Sequence, residues 1–475
     1  MFETQAVGQL ELVHEIAATA RADMRVPARV YADDELWRQI ANDRSLEQLV
    51  NVATLPGITG YAYGMPDIHE GYGFPVGGVA AMRASDGVIS PGGVGYDINC
   101  GVRLLVSNLP ISAVRPRIKE LTHELSRSIP SGTGRGGRLS LTDEEIERVL
   151  SDGCRSLVER GIADLDDLEV MEGNGGFPRA DPSAVSQRAR DRGRGQLGTL
   201  GSGNHFLEVE AIDDVEDEEA AGVYGLARGR VAVLIHTGSR GLGHQVCTDY
   251  VRLMDQVMAR YGIHLPDREL ACAPFSSPEG QRYFGAMCAA ANFAFANRQT
   301  ITYRVRDVFR RFFGETGRLR LLYDVAHNMA KLEEHGGELL CVHRKGATRA
   351  FGPRHPETPA RYRRAGQPVF IPGSMGTASY VLRGTDEALR LSFGSACHGA
   401  GRTLSRHAAK RARSGREVRQ ELEARGIAVA CPSSGELAEE APFAYKDVER
   451  VVDVVHRVGI ASKVARLTPM GVVKG

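Results

Sequence analysis

Five residues able to bind metal lie far apart in this chain, between positions 97 and 327, each in its own glycine- or amide-rich motif. Asp97 and Cys100 sit in the run Gly92-Gly93-Val94-Gly95-Tyr96-Asp97-Ile98-Asn99-Cys100-Gly101-Val102-Arg103. His205 closes Gly201-Ser202-Gly203-Asn204-His205, His236 opens His236-Thr237-Gly238-Ser239-Arg240, and His327 lies in Asp324-Val325-Ala326-His327-Asn328. If these residues form one site, the 475-residue chain is not a string of independent domains, although length alone suggests about three. The expected architecture is α/β in the mixed, α+β sense. It is a single large interleaved domain over residues 1–475 with central mixed sheets and an exposed loop at 353–367, where three prolines and several arginines fall.

Local patterns fill in this frame. Val26 to Tyr31 is strand-like, and Asp34 to Val52 has helical spacing. Residues 56–103 are glycine-dense, with a short strand at Val76 to Met82. Leu104 to Ser107, Phe206 to Ile212, Val231 to Ile235 and Leu319 to Tyr323 read as strands. The fourth leads into His327, and the third delivers His236 at its C-terminal end, where α/β folds often present active groups. Thr142 and Glu145 form a capping-box pattern before a helix that Gly161 can end. Tyr283 to Phe313 and Asp447 to Val458 are helical stretches.

The chain carries 59 basic and 59 acidic residues. A long-range basic field is therefore excluded as a basis for nucleic-acid binding, and any phosphate must be held by local arginines. The eight cysteines form no CxxC pair, so neither a zinc finger nor a disulfide framework is expected. No apolar run approaches the ~18 residues that span a bilayer. Met1 to Gln5 lacks a basic-then-apolar leader. A reduced, cytoplasmic protein with no membrane partner is the expectation.

One carboxylate, one thiol and three imidazoles suit Mn²⁺, Zn²⁺ or Fe²⁺. A thiolate can bridge two cations, and a metal pair about 4 Å apart activates attacking and leaving oxygens in phosphoryl transfer. The plainer reading of Asp97 and Cys100 is a buried free cysteine beside a turn aspartate. Each histidine alone is more often structural, and His244 and His343 compete as ligands. Asn204 and Asn328 are placed to donate to phosphate oxygens, and Gly238 to Gly241 reads as a nest-like anion site.

A second constellation runs from Ser395 through Cys397-His398-Gly399-Ala400-Gly401-Arg402 to Arg406. Small residues leave room at His398 for a bulky group. Arg402 and Arg406, at i and i+4, would share a helix face and clamp an anion. His398 reads either as a nucleophile forming a phosphoramidate or as a sixth ligand or helix cap. Pro372 to Tyr380 is a small-residue loop able to cradle a nucleotide, although it fits no phosphate-loop pattern.

These motifs resemble the RtcB family of RNA-splicing ligases. The resemblance runs through Met65-Pro66-Asp67-Ile68-His69-Glu70-Gly71, Asp97-Ile98-Asn99-Cys100-Gly101, Leu197-Gly198-Thr199-Leu200-Gly201-Ser202-Gly203-Asn204-His205-Phe206-Leu207-Glu208, His343-Arg344-Lys345-Gly346, Cys397-His398-Gly399-Ala400-Gly401-Arg402 and Gly471-Val472-Val473-Lys474-Gly475. It implies an α/β arrangement peculiar to that family. It also implies a two-Mn²⁺ site of Asp97, Cys100, His205, His236 and His327 with Cys100 bridging, and a His398 guanylylated by GTP. A guanylate pocket would draw on Asn204, His205, Phe206, Leu207, Glu208, His327, Asn328, Pro372, Gly373, Ser374, Met375, Ser379, His398, Gly399, Ala400, Gly401, Tyr445 and Lys474. RNA-phosphate contacts would come from Arg192, Arg240, Arg402 and Arg406. The implied substrates are RNA 3′-phosphate or 2′,3′-cyclic-phosphate ends and 5′-hydroxyl ends, in tRNA splicing or RNA repair. Archease, a small protein with which the family often works, is an implied partner. Two other readings remain at this point: a metal-dependent phosphodiesterase, and an RNA-binding module with structural zinc.

Overall fold

Two sheets meet at one residue, His327. The computed structural model describes residues 5–6, 12–132, 136–137 and 139–475. Its principal strands, in chain order, are β1 (Val13–Ile16), β2 (Ala28–Tyr31), β3 (Ile58–His69), β4 (Val76–Arg83), β5 (Gly101–Pro110), β6 (Phe206–Val215), β7 (Arg230–Thr237), β8 (Arg320–Ala326), β9 (Asn328–His335), β10 (Glu338–Lys345), β11 (Pro368–Ile371), β12 (Ser379–Gly384) and β13 (Ala461–Lys474). The first sheet runs β1-β2-β3-β4-β10-β9, with one parallel pair, β2 and β3. The second runs β8-β5-β7-β6-β13-β12-β11, antiparallel along that path, and the short strand Ala428–Ala430 joins β13 in parallel. At His327 the chain steps directly from one sheet to the other: β8 leaves the second sheet at Ala326, and β9 re-enters the first at Asn328.

Antiparallel register explains how ligands so distant in sequence converge. Gly101 lies opposite both Ala326 and Thr237, while His236 pairs with Val102 on one side and Phe206 on the other. Lys474 pairs with Phe206. The beginnings of β5 and β6 thus share one sheet end with the ends of β7, β8 and β13. The expectation of ligands at C-terminal strand ends holds for His236, within the last two residues of β7, and for His327, directly after β8. Cys100 and His205 immediately precede their strands.

A 36-residue helix, α1 (Pro278–Phe313), binds the two halves into one large domain. Ser277 caps it by accepting from the Gly280 amide, and a proline occupies its first turn, where the missing N–H costs nothing. It is buried on all faces over much of its length, as a core helix must be. Its first half packs Tyr283, Met287 and Phe293 into the core that contains β3 and β4 residues; its second half packs Ile301, Val305 and Phe309 into the core under β5 and β7. No helix among the described residues is long and apolar enough to cross a membrane.

Several local expectations are refined. The 34–52 pattern is two helices, Asp34–Ile40 and Ser45–Val52. The glycine-dense region hides the whole of β3, because Gly60, Gly64 and Pro66 interrupt its alternation. The capping box at Thr142 and Glu145 is present, but the helix Asp143–Asp152 stops at Gly153, φ +57°, not at Gly161. The 353–367 loop exposes Arg354, Pro356 and Arg361 but is anchored by buried Tyr362, whose hydroxyl donates to the Leu322 carbonyl.

One buried charge cluster fixes the site-bearing strands. Asp324 on β8 accepts from Arg103 Nε at 2.7 Å and Arg298 Nε at 3.0 Å, and all three side chains are fully buried. Arg298 also donates to the carbonyls of Asn99 (2.8 Å) and Thr237 (3.0 Å), tying α1 to the Asp97–Cys100 turn. Asp324→Asn leaves two buried guanidinium groups undercompensated. It is expected to cost about 3–5 kcal/mol, read as a lowered denaturant midpoint; an unchanged midpoint contradicts this role.

Candidate active site

The Asp97–Cys100 turn closes through the Cys100 amide, which donates to the Asp97 carbonyl at 2.9 Å. Asn99 takes φ +51°, a left-handed conformation that asparagine tolerates. Gly238 is required nearby, since a Cβ there would stand 2.4 Å from Asp97 Oδ2. Cys100 Sγ lies 3.4 Å from His205 Nε2 and 3.3 Å from His236 Nε2. His236 Nε2 is 3.2 Å from His327 Nε2, and His205 Nε2 is 2.8 Å from Asp97 Oδ2.

The five ligand candidates therefore form two triads, Asp97–Cys100–His205 and Cys100–His236–His327, which share the thiol. Their chemistry fits two cations. Burial, reinforced by neighbouring histidines, holds His236 and His327 well below the usual imidazole range, so both are neutral and offer lone pairs. Burial and the adjacent Asp97 push the Cys100 thiol well up. Burial opposes ionisation of Asp97, but His205 and Arg240 outweigh it and hold the carboxyl low. The other ring nitrogen of His236, Nδ1, is buried without a protein partner.

His398 belongs to the same site but to neither triad. It follows the short strand Ser395–Cys397, and its ring lies 4.7 Å from that of His327. Its Nδ1 is 2.7 Å from Asp67 Oδ2, which also accepts the His398 amide at 3.2 Å. A carboxylate only accepts, so Nδ1 is the donor and Nε2 keeps its lone pair. Asp67 is wholly buried at the end of β3, where Lys446 Nζ donates to the flanking carbonyls of Pro66 (3.1 Å) and Ile68 (2.5 Å). Gly401 approaches so closely that a Cβ would meet the Asp67 carbonyl at 2.2 Å. In the sequence Asp67 is one residue of the Met65–Gly71 motif, and nothing in its spacing points to His398.

A cavity of about 320 Å³ opens beside His398. Of the predicted nucleotide residues, Asn204, Phe206, His327, Asn328, Pro372, Gly373, Ser374, Met375, Gly399, Ala400, Gly401, Tyr445 and Lys474 line it with His398. His205 stands in the ligand cluster, the Leu207 side chain packs in the core, and Ser379 Oγ accepts from the Gly373 amide at 3.3 Å. Glu208 is buried beside Glu210, and among the described residues no separate donor reaches Glu208 Oε1 or either Glu210 oxygen. Burial pushes both carboxyls up, Glu210 to about 7, and the neighbouring Glu210 raises Glu208 further. Asn328 is already engaged: its Nδ2 donates to the Asp97 carbonyl and its Oδ1 accepts from Gly346. A larger groove, about 1060 Å³, lies at the opposite end of β5 and β8 and contains no candidate ligand.

The arginines behave differently from the expected clamp. Arg402 lies before the helix α2 (Arg406–Ala412), which Ser405 caps, so the two do not share a helix face. They converge instead on Glu440, at 3.1 and 3.0 Å. Burial opposes ionisation of Glu440, but Lys474, Arg402 and Arg406 hold it down to about 2. The Gly238–Gly241 nest is also modified, since the Gly241 amide donates to Gln196 Oε1. Arg240, at φ +55°, donates to His205 Nδ1 at 3.1 Å. Neither His244 nor His343 joins a triad.

Residues 48–475 match the family model described as tRNA-splicing ligase RtcB. The chain belongs to the RtcB family. It is 58% identical over 459 residues to the tRNA-splicing ligase RtcB of Thermococcus kodakarensis, covering 95% of each chain. Identity to the tRNA-splicing ligase RtcB of Archaeoglobus fulgidus is 54% over 469 residues, 97% of each. The RNA-splicing ligase RtcB of Mycobacterium tuberculosis is 55% identical over 435 residues, 90% of this chain and 100% of the relative. Membership of RtcB, a family of ligase enzymes, accords with the mixed α/β fold and with the motifs that line the cavity.

Proposed function

We propose that this RtcB protein is a GTP- and Mn²⁺-dependent RNA ligase. It joins 3′-phosphate or 2′,3′-cyclic-phosphate RNA ends to 5′-hydroxyl ends through a guanylylated His398, in tRNA splicing or RNA repair. The observation that carries this reading is the position of His398. Its donor nitrogen is committed to Asp67, its free nitrogen is a nucleophile, and its ring lies against His327 between the ligand triads and the cavity.

In this reading His398 Nε2 attacks the α-phosphorus of GTP, a P–N bond forms and pyrophosphate leaves. An oxygen of the RNA 3′-phosphate then takes the guanylyl group, and the P–N bond breaks. The 5′-hydroxyl of the second RNA attacks the activated 3′-phosphorus, and GMP leaves. A cyclic phosphate first adds water to give the 3′-phosphate. Two cations held by the triads would neutralise phosphate charge and polarise P–O bonds.

The chain's own groups supply the rest. Asp67 fixes the His398 tautomer and stabilises positive charge on the ring during attack, as the carboxylate of a hydrolase triad does for its histidine. The unpartnered oxygen of Glu208 suits the N–H edge of guanine, and Lys474, which Glu208 attracts, suits its carbonyl edge. Arg240 donates to His205 Nδ1; were His205 Nε2 to hold a cation, Nδ1 would carry the ring proton and Arg240 would be free to bind phosphate. Archease is proposed as a partner and the cytoplasm as the compartment.

Asp67→Asn puts an N–H opposite Nδ1 and forces the wrong tautomer. The rate of GTP labelling is expected to fall about 10⁴-fold, with bound metal unchanged. An unaltered rate contradicts the positioning role. The whole reading is tested by ligation of a 3′-phosphate RNA to a 5′-hydroxyl RNA with and without GTP. Joining only with GTP supports it; turnover of cyclic phosphate without GTP and without joining favours a phosphodiesterase.

A further inference from the structure

Three rings form a ladder beside the cavity: Tyr96 lines it, and none of the three belongs to the ligand triads or to the predicted nucleotide residues. Tyr72 meets Tyr96 edge-on, centroids 5.4 Å apart at 71°, and Tyr96 meets His244 at 4.8 Å and 33°. Each ring comes from a different element. Tyr72 is in the turn between β3 and β4, where Lys345 Nζ holds its carbonyl at 2.7 Å. Tyr96 immediately precedes the ligand Asp97 and lines the cavity. His244 stands one turn beyond Arg240 on the helix Arg240–Val257. The two tyrosines are half-buried and His244 is exposed, so the ladder has an open end facing solvent.

Charge beside that open end is also uncompensated. Arg192 is exposed, repels a protonated His244, and donates to Gln245 Oε1 at 3.0 Å; it pairs with no carboxylate among the described residues. Arg402 and Arg406, on the other flank of the cavity, are both neutralised by Glu440. An aromatic platform next to a guanidinium that no carboxylate neutralises is the arrangement by which proteins hold single-stranded nucleic acid, with bases on rings and phosphates on cations.

We propose that Tyr72, Tyr96 and His244 form a stacking platform for the unpaired 3′-terminal nucleobase of the RNA whose phosphate enters the ligand cluster, beside the phosphate contact that the family resemblance already implies for Arg192. The 3′ end is the one assigned because Tyr96 adjoins Asp97, so a base on the ladder leaves its own 3′-phosphate at the triads. The proposal rests on the ligase reading above.

The test uses the full-length protein and a short 3′-phosphate RNA ending in 2-aminopurine, whose fluorescence is quenched by stacking. Wild-type protein should quench it. His244→Ala and Tyr96→Leu should abolish the quench and weaken RNA binding by roughly 5- to 100-fold, while His244→Phe restores both. An RNA with an abasic 3′ nucleotide should bind wild-type protein as weakly as the intact RNA binds His244→Ala, and the variant should lose nothing more. Absence of quenching in wild type overturns the platform. So does an undiminished preference of His244→Ala for the intact end. Failure of the ligase reading shows separately, as wild-type protein that joins neither intact nor abasic ends.

Discussion

Cys100→Ala protein is expected to bind neither cation of the pair and to take no label from GTP. Each triad depends on Sγ, which lies within 3.4 Å of both His205 and His236. Changes to groups behind metal ligands cost about 10–100-fold in affinity, and loss of a ligand common to two ions should exceed that. The thiol also sets the pH dependence. Burial and Asp97 raise it, so at neutral pH the metal-free protein keeps its proton, and uptake of cations must expel it. Apparent affinity therefore rises with pH, and titration calorimetry in buffers of different ionisation heat should detect the released proton in wild type and not in Cys100→Ala. Undiminished metal content in the variant contradicts the bridging role.

His398→Asn should give the opposite combination: metal retained, chemistry lost. The ring touches His327 but belongs to neither triad, so the cation sites remain. Loss of a covalent nucleophile costs on the order of 10⁶ in kcat, which takes ligation below detection. Manganese content measured beside ligation separates this variant from Cys100→Ala, because only the latter loses both.

Much of this site was legible in the chain because its chemistry is local. The ligand motifs, the glycines around His398 and the capping box at Thr142 depend on residues a few positions apart, and the fold brings each into place. What escaped is held together across long sequence separations. Asp67 acquires its role through a contact with a residue 331 positions away. Glu440 gathers Arg402, Arg406 and Lys474 only after the C-terminal strand has paired with β6. Arg298 reads as one polar residue in a helix until the Asp97 turn closes over it. The assumed helix face of Arg402 and Arg406 failed because Ser405 caps the helix between them. Even so, the two arginines reach one carboxylate by a route that spacing does not encode. Strand order is likewise absent from the motifs, so the placement of ligands at both starts and ends of strands follows from the antiparallel register alone.

The most direct test of the central claim is incubation of wild-type protein and His398→Asn with α-labelled GTP and Mn²⁺, followed by denaturing electrophoresis and peptide mapping. The account predicts an acid-labile label on the wild-type peptide that contains His398, and none on a variant with undiminished manganese. Label retained by His398→Asn, or ligation by wild-type protein that never carries label, would contradict it.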